Sequence, residues 1–203
     1  MRNEYSIMDK IYLMFCLLFS KFINVKVRLI RLPVDIRGKK YIDWGKNLTT
    51  GRYCRFEAFS QSGEVVLSFG NNVQINDFVH ITAMGGVKIG NDVLIAGKVY
   101  ISDCTHGSYK GDVYDSFPMQ IPKERAYSIR NVIIEDCVWV GESVSILPGS
   151  IIGKGSIIGA NSIVNSVLPP YSIAVGIPAK VIKRYCFETG TWRKVSSQGA
   201  FID

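Results

Sequence analysis

Residues 89–101 read IGNDVLIAGKVYI and carry an aliphatic residue at every sixth position. The same period returns in residues 134–164. The aliphatic first positions of these hexads are Ile89, Ile95, Ile101, Ile134, Val140, Ile146, Ile152, Ile158 and Val164. Four residues later comes a second small or β-branched residue, as at Val93, Val99, Val138, Val144, Ser150, Ser156 and Ser162. A repeat of fixed period determines the whole architecture, so it is interpreted before any single strand or helix.

The six-residue period predicts short strands and excludes a helix. Apolar residues at every sixth place do not follow a 3.6-residue helical face, and glycine and β-branched residues are frequent. Three hexads make one turn of eighteen residues, which indicates a triangular solenoid whose aliphatic positions stack from turn to turn. Glycine, asparagine and aspartate in GND, GNN, GKG and GAN suit the tight corners, because they adopt positive φ easily. The fold class is therefore all-β.

Weaker copies of the repeat extend the pattern towards the N-terminus and predict about five turns. Their first positions are Trp44, Thr50, Phe56, Phe69, Ile75 and Ile81. Residues 102–132 have no period and form a long loop inserted after the third turn, which is more often functional than decorative. The expected organisation is an apolar and basic helical segment over 1–40, the solenoid over 41–184 with a short closing segment, and a tail over 185–203.

The N-terminal segment leaves two interpretations open. Residues 11–19, IYLMFCLLF, are too few to span a bilayer as a helix, which needs about 20 apolar residues. No small-residue cleavage site of the secretory type follows them. One interpretation is a helix that packs on the body of the protein or on a neighbouring subunit. The other is a basic amphipathic element, residues 5–31, that rests on a membrane surface.

The overall charge and the cysteines restrict the class of protein only loosely. A net charge of +7 allows anionic partners, but no arginine-rich run with interleaved aromatic residues points to nucleic acid. Five scattered cysteines without a CxxC pair argue against a disulfide framework and favour a reducing compartment. A cytoplasmic protein, with the option of peripheral contact at the inner face of the cytoplasmic membrane, is the expectation.

Several longer segments carry a resemblance beyond the repeat itself. IGNDVLIAGKVYISDCTHG, NVIIEDCVWVGESVSILPGSIIGKGSIIGANSIVNSVLPP and AVGIPAKVIKR resemble the hexapeptide-repeat acetyltransferases, in the maltose and galactoside O-acetyltransferase branch. The chain is most similar to bacterial O-acetyltransferases of O-antigen or capsule polysaccharide synthesis. The resemblance implies a left-handed parallel β-helix, a homotrimer, acetyl-CoA as acyl donor and no metal. It implies acetyl transfer to a sugar hydroxyl in cell-surface polysaccharide (lipopolysaccharide or capsule) synthesis.

His106 is the first candidate catalytic residue. It lies where the inserted loop begins, and histidine is the side chain suited to general base catalysis near neutral pH. The resemblance implies that His106 deprotonates the acceptor hydroxyl, which attacks the acetyl thioester directly. Asn76 matches an asparagine beside the acetyl group and the acceptor, where an amide steadies an oxyanion or positions the hydroxyl. An acceptor-binding carboxylate of the family falls on Met84, so acceptor recognition must differ.

The resemblance also implies a set of residues that contact the acyl donor. They are Trp139, which lines the channel, Gly141, Ala160, Asn165 and Ser166 along the pantetheine arm, and Lys180 and Lys183 near the phosphates. The lysines are also compatible with an ordinary solvated surface. Glu142 departs from the small polar residue expected after VWVG, which makes that one contact uncertain.

Four alternatives stay open beside this hypothesis. Cys104, two residues before His106, raises a covalent route, although nothing nearby marks it as activated. A zinc hydratase on the same scaffold needs three histidines, and the chain has two, His80 and His106. His80 lies between inward residues and therefore points outward, where a structural role is expected. A small free or nucleotide-linked sugar is the alternative acceptor to a lipid-linked oligosaccharide, and a non-catalytic scaffold is the remaining class.

Overall fold

Three parallel sheets form the sides of a triangular prism in this computed structural model, which describes residues 5–196 and 198–202. Sheet A contains Leu29–Ile30, Thr49–Thr50, Gln74–Ile75, Leu94–Ile95, Trp139–Val140, Ile157–Ile158 and Ser172–Val175. Sheet B contains Val34–Arg37, Cys54–Ala58, His80–Ala83, Tyr100–Ser102, Ser145–Ile146 and Ile163–Val164. Sheet C contains Ile42–Asp43, Leu67–Phe69, Val87–Ile89, Val132–Ile134, Ile151–Ile152 and Val167–Leu168. The chain visits A, B and C in turn, so the predicted parallel solenoid is confirmed.

The remaining elements extend this prism. Sheet A continues with two antiparallel strands, Lys180–Cys186 and Thr191–Lys194. A hairpin of Cys104–His106 and Tyr127–Ile129 stands at the base of the inserted loop. Helix α1 covers Ile7–Ile23, and short 3-10 helices cover Lys39–Tyr41 and Pro122–Glu124.

The core consists of the predicted aliphatic columns. In sheet A, Ile95 stacks between Ile75 and Val140, and Val140 stacks on Ile158. All first positions of the hexads are buried, including Thr50, whose side chain has no exposed surface. The second positions, valines in the middle turns and serines in the last ones, are buried as well. Each turn therefore adds one layer of apolar side chains to a continuous core.

The prism has six complete turns, one more than the five predicted. Residues 29–43 already form the first turn, so the helical segment ends at Ile23 and does not extend to residue 40. The inserted loop leaves the prism between Tyr100–Ser102 of sheet B and Val132–Ile134 of sheet C, which is within the fourth turn when the turns are counted from residue 29. At the other end, the strand Lys180–Cys186 crosses the predicted boundary between solenoid and tail. The first turn escaped prediction because its spacing differs from eighteen residues: Ile30 pairs with Thr50 across 20 residues.

The corner between sheets A and B has a left-handed residue in the second to sixth turns, whatever its type. Asn161 fits the prediction for such corners with φ of 59°. Bulkier residues hold the same place in other turns: Tyr53 at 57°, Phe78 at 60° and Lys98 at 57°. Because left-handed φ is unfavourable for side chains of this size, the stacking of the turns imposes it.

Helix α1 packs on the first turn through one face only. Ser6 and Asp9 form a capping box at its start, with the Asp9 amide donating to the Ser6 hydroxyl over 3.1 Å. The Tyr12 hydroxyl donates to the Leu32 carbonyl over 2.7 Å, and Cys16 is buried. The opposite face is apolar and exposed: Ile7, Met8, Ile11, Met14, Phe15, Leu18 and Phe22. Within the described residues, no helix is long and apolar enough to cross a membrane.

A network of charges covers the outer face of sheet B in the first three turns. Glu57 is 5% exposed. Its carboxylate accepts hydrogen bonds from Arg37 (3.0 Å), Arg55 and Thr82 (3.1 Å), and His80 Nε2 lies 2.9 Å away. Burial alone would raise the pKa of Glu57, but the bonds from His80, Arg55 and Thr82 outweigh it and hold the pKa below the ordinary glutamate value. His80 is thus a structural residue of this outward network.

Replacing Glu57 by Gln should destabilise the fold in a pH-dependent way. The native pKa of Glu57 is lowered, so its charge stabilises the fold above the unfolded value of about 4.3 and ceases to do so as the pH falls through the native pKa. Since both arginines are half exposed, we expect a loss of only about 1–2 kcal/mol at pH 7, shrinking below pH ~4. Urea unfolding at several pH values measures it. Glu64→Gln, in an exposed loop, is the control, and an equal loss for Glu57→Gln at all pH values would contradict the prediction.

Candidate active site

His106 ends the first strand of the hairpin, on the side of the prism where sheet B passes into sheet C. Its ring lies against Tyr127, with the ring centroids 4.7 Å apart, and the pairing of the two strands places these residues opposite each other. The Tyr109 hydroxyl donates to the His106 carbonyl over 2.7 Å. Within the described part of the chain, no hydrogen bond reaches the imidazole, which is exposed and available to a ligand.

Asp103 anchors the root of this hairpin to the preceding turn. Its carboxylate has no exposed surface and accepts the backbone N–H groups of Met84 (2.9 Å), Gly85 (2.8 Å) and Gly86 (2.6 Å). The Arg130 amide donates to the Asp103 carbonyl over 2.8 Å, which ties down the returning strand. A buried carboxylate that accepts several N–H groups fixes the chain three residues before His106.

Asn76 lies at another corner of the prism, between sheets A and B, at the opposite end of the sheet B strands from His106. It is exposed and lines a groove of about 560 Å³, which we call the A/B groove. The other residues lining this groove are Arg31, Gly51, Arg52, Asp77, Phe78, Gly97, Lys98 and Glu142. Glu142 pairs with Lys98 over 3.2 Å, which gives the unexpected acid at this position a partner.

The residues predicted to contact the acyl donor are divided between the same two corners. Trp139 is on sheet A, 49% exposed and pointing outward as predicted, while Gly141 and Ala160 follow sheet A strands at the A/B corner. Asn165 and Ser166 lie at the corner between sheets B and C, in the last complete turn. Within one chain, the residues predicted to contact the acyl donor therefore form two groups at different corners.

A second groove, of about 580 Å³, lies on the last turn beside Ser166 and contains Lys180 but not Lys183. Val181 and Arg184 also line it, so cationic and apolar side chains face the same space. These residues suit the phosphates and the apolar arm of a coenzyme A thioester, the donor that the resemblance implies. Lys183 lies on the same strand, opposite Ile173 and Lys194.

Cys104 is a poor nucleophile in this setting. Burial raises the pKa of its thiol, and the hydrogen bond with Ser102 only partly offsets this. The thiol therefore stays protonated at neutral pH, whereas the thiolate is the reactive form. Among residues 5–196 and 198–202, no group of three or more His, Cys, Asp or Glu side chains is arranged to hold a metal ion.

Two residues of this region were not recognised from the sequence. Asp103 carries a detectable signal, because it is an acidic residue two positions after Ile101, the last aliphatic first position before the inserted loop, and period-two alternation points it inward. Tyr127 gave no signal, because its partner His106 is 21 residues away and only the fold of the loop brings them together.

Comparisons with known proteins agree with this architecture. A family model described as bacterial transferase hexapeptide (six repeats) matches residues 131–166. The chain is similar to a putative lipopolysaccharide biosynthesis O-acetyl transferase, WbbJ of Escherichia coli K12, at 41% identity over 192 residues, covering 95% of this chain and 96% of that protein. It is 34% identical to the E. coli K12 galactoside O-acetyltransferase over 145 residues, covering 63% of this chain and 64% of that enzyme.

Among solved structures, the fold is similar to that of AntD, an N-acyltransferase from Bacillus cereus. The TM-score is 0.65 at 20% identity, covering 81% of this chain and 82% of that one. Together these matches define a hexapeptide-repeat acyltransferase, which implies a left-handed β-helix. The chain belongs to the hexapeptide-repeat acetyltransferases, and acetyl-CoA is its acyl donor.

Proposed function

We propose that this acyltransferase moves the acetyl group of acetyl-CoA to a sugar hydroxyl during assembly of a cell-surface polysaccharide, such as lipopolysaccharide or capsule. The observation that carries the proposal is the exposed His106 imidazole, free of hydrogen bonds from the described residues, on a hairpin whose root is anchored by a buried carboxylate. Similarity to WbbJ along nearly the whole chain supports the sugar acceptor.

The mechanism requires two proton transfers and one substitution at the thioester carbonyl. The His106 imidazole takes the proton of the acceptor hydroxyl while the oxygen attacks the thioester carbonyl. The carbon–sulfur bond then breaks, and the departing thiolate of coenzyme A takes up the proton. The Asn76 amide donates to the carbonyl oxygen as negative charge develops there, or holds the acceptor hydroxyl in line. This direct transfer needs no nucleophilic side chain, in agreement with the protonated Cys104 thiol.

A cyclic homotrimer explains why one chain carries two half-sites. His106, Asn165 and Ser166 lie on the B/C side, whereas Asn76, Trp139, Gly141 and Ala160 lie on the A/B side. A head-to-tail contact between prisms brings the first set of one copy against the second set of the next, and three copies close the ring. Each trimer then contains three complete sites, each shared by two copies.

Replacing His106 by Ala should abolish most of the transfer, because no other base takes the hydroxyl proton. We expect kcat to fall about 10²–10⁴-fold, with little change in the KM for acetyl-CoA. Release of coenzyme A thiol in the presence of sugar acceptors measures it. Cys104→Ala is the matched control on the same strand and should retain the wild-type rate. A His106→Ala rate equal to that of the wild type would refute the proposed base.

Mixing two inactive variants tests the shared site directly. His106→Ala keeps an intact A/B side and Asn76→Ala an intact B/C side, so each trimer that contains both variants has one complete site of three. Co-expression followed by purification through two different tags isolates the mixed assemblies. Activity should return to a substantial fraction of that of the wild type. Mixed assemblies as inactive as either variant alone would mean that both residues act within one chain.

Helix α1 supports a further part of the proposal, peripheral contact of residues 5–31 with the inner face of the cytoplasmic membrane. Its exposed apolar face includes Phe15 (60%), Leu18 (65%) and Phe22 (81%). Lys10, Lys26 and Lys39 are exposed nearby, and the Lys39 ammonium lies 5.1 Å from the Phe22 ring. An apolar face bordered by cations fits the boundary between headgroups and acyl chains of anionic lipids.

Leu18→Glu should weaken membrane binding about tenfold or more, because burying a leucine contributes roughly 1.5–3 kcal/mol. Co-sedimentation with phosphatidylglycerol vesicles measures it, and binding should fall in pure phosphatidylcholine. Val113→Glu, at a 91% exposed valine in the inserted loop, is the control and should bind as the wild type does. If Leu18→Glu instead dissociates the oligomer without changing lipid binding, the helix face belongs to a subunit contact and this part of the proposal is wrong.

A further inference from the structure

The A/B groove contains two arginines that no part of the proposed chemistry uses. The Arg31 guanidinium donates to the Thr50 carbonyl over 3.0 Å, which holds it at the groove beside Asn76. The Arg52 guanidinium lies 4.4 Å from the centre of the Tyr12 ring of α1. Both side chains thus have supports that fix their position without neutralising their charge.

Neither guanidinium is paired with a carboxylate. Within residues 5–196 and 198–202, neither forms an ion pair, whereas Arg37 and Arg55 on sheet B both bind Glu57. Of the two acids that line the groove, Glu142 binds Lys98 over 3.2 Å. The Asp77 carboxylate accepts the Arg52 backbone N–H over 2.7 Å and attracts the Arg52 guanidinium without forming an ion pair with it. Two unpaired arginines close to a reacting centre are an anion-binding feature, because guanidinium groups match phosphate oxygens in charge and geometry.

An aromatic platform adjoins the two arginines. Phe78 lines the groove and stacks on Tyr53 of the previous turn, with centroids 4.9 Å apart and planes 6° from parallel. Both residues have left-handed backbone conformations and are more than half exposed. The stacking of the turns imposes that backbone conformation, but it does not require aromatic side chains at these corners, since Lys98 and Asn161 hold the same place in other turns. An exposed aromatic face is apolar enough to take the C–H face of a sugar ring.

We propose that the acceptor is a phosphate-linked sugar and that Arg31 and Arg52 bind its phosphate groups. This inference rests on the proposed function and specifies its substrate class. The sugar lies along Phe78 with its hydroxyl at Asn76, facing His106 of the neighbouring copy. The phosphates lie on the arginines, on the side of the groove nearest α1, where Tyr12 supports Arg52. The group attached to the far side of the phosphates then points towards α1, the helix proposed to contact the membrane.

A panel of hexoses tests this assignment. Each hexose is supplied in four linkages, and the KM for each form is measured in the acetyl-transfer reaction. The linkages are the methyl glycoside, the glycosyl 1-phosphate, the geranyl diphosphate glycoside and the uridine diphosphate sugar. We expect the phosphate-bearing forms to have KM values at least tenfold below that of the methyl glycoside. Arg31→Gln and Arg52→Gln should each raise those values about 10–100-fold and leave the KM for the methyl glycoside and for acetyl-CoA unchanged. The KM values for the geranyl diphosphate glycoside and the uridine diphosphate sugar are then compared. The form with the lower KM shows whether the phosphates of the natural acceptor belong to a lipid or to a nucleotide.

Controls separate this inference from the proposed function. Lys88→Gln removes one positive charge from the outer face of sheet C and should change no KM. Equal KM values for all linkages, or variants that raise every KM alike, would overturn the inference while leaving the acetyltransferase intact. If no sugar is acetylated, the proposed function fails, and calorimetry with inorganic pyrophosphate still tests the site. Binding that is lost in both arginine variants supports it, and binding equal to that of the wild type overturns it.

Discussion

The backbone hydrogen bonds of this protein run between turns, and every other feature depends on that stacking. A strand such as Leu94–Ile95 takes its partners from Gln74–Ile75 below and Trp139–Val140 above, 20 and 45 residues away in the chain. The buried columns of isoleucine and valine hold this register, since a slip of one residue would turn every aliphatic side chain outward. The number of residues between two stacked strands can vary as long as the columns stay aligned. Loops of any length can therefore leave the corners without disturbing the core.

The sequence predicted the columns well because burial requires an aliphatic residue at each first position. Even Thr50, a poor match to the pattern, stacks on Ile75 as its position in the hexad predicted. The first turn escaped recognition since Val34–Arg37 stands among basic residues and its distance to the next turn is longer than eighteen residues. Of the site, His106 and Asn76 could be located in the fold through the repeat. The contacts of the inserted loop could not, because no period governs them and each depends on tertiary packing.

Catalytic groups on such a prism can stand only at the corners or on inserted loops, because the sides are short strands with alternate residues buried. One chain accordingly offers an amide at the A/B corner and an imidazole at the B/C corner, with a rigid side of the prism between them. No plausible motion closes that distance without breaking the stacked hydrogen bonds of sheet B. A second copy can supply the missing half at no cost to the fold. On the proposed mechanism, the division of the site is a consequence of the architecture, and the proposed trimer is a condition for activity.

The excess of positive charge has a different meaning in different parts of this structure. Arg37, Arg55 and Lys98 all have carboxylate partners, so they contribute little attraction for an external anion. Arg31 and Arg52 have none among the described residues, and they share a groove with Asn76. A guanidinium group without a carboxylate partner keeps its full capacity to bind an external anion, which is the basis of the phosphate site proposed for this groove. The net charge of +7, ambiguous in the sequence, becomes informative once paired and unpaired cations are told apart.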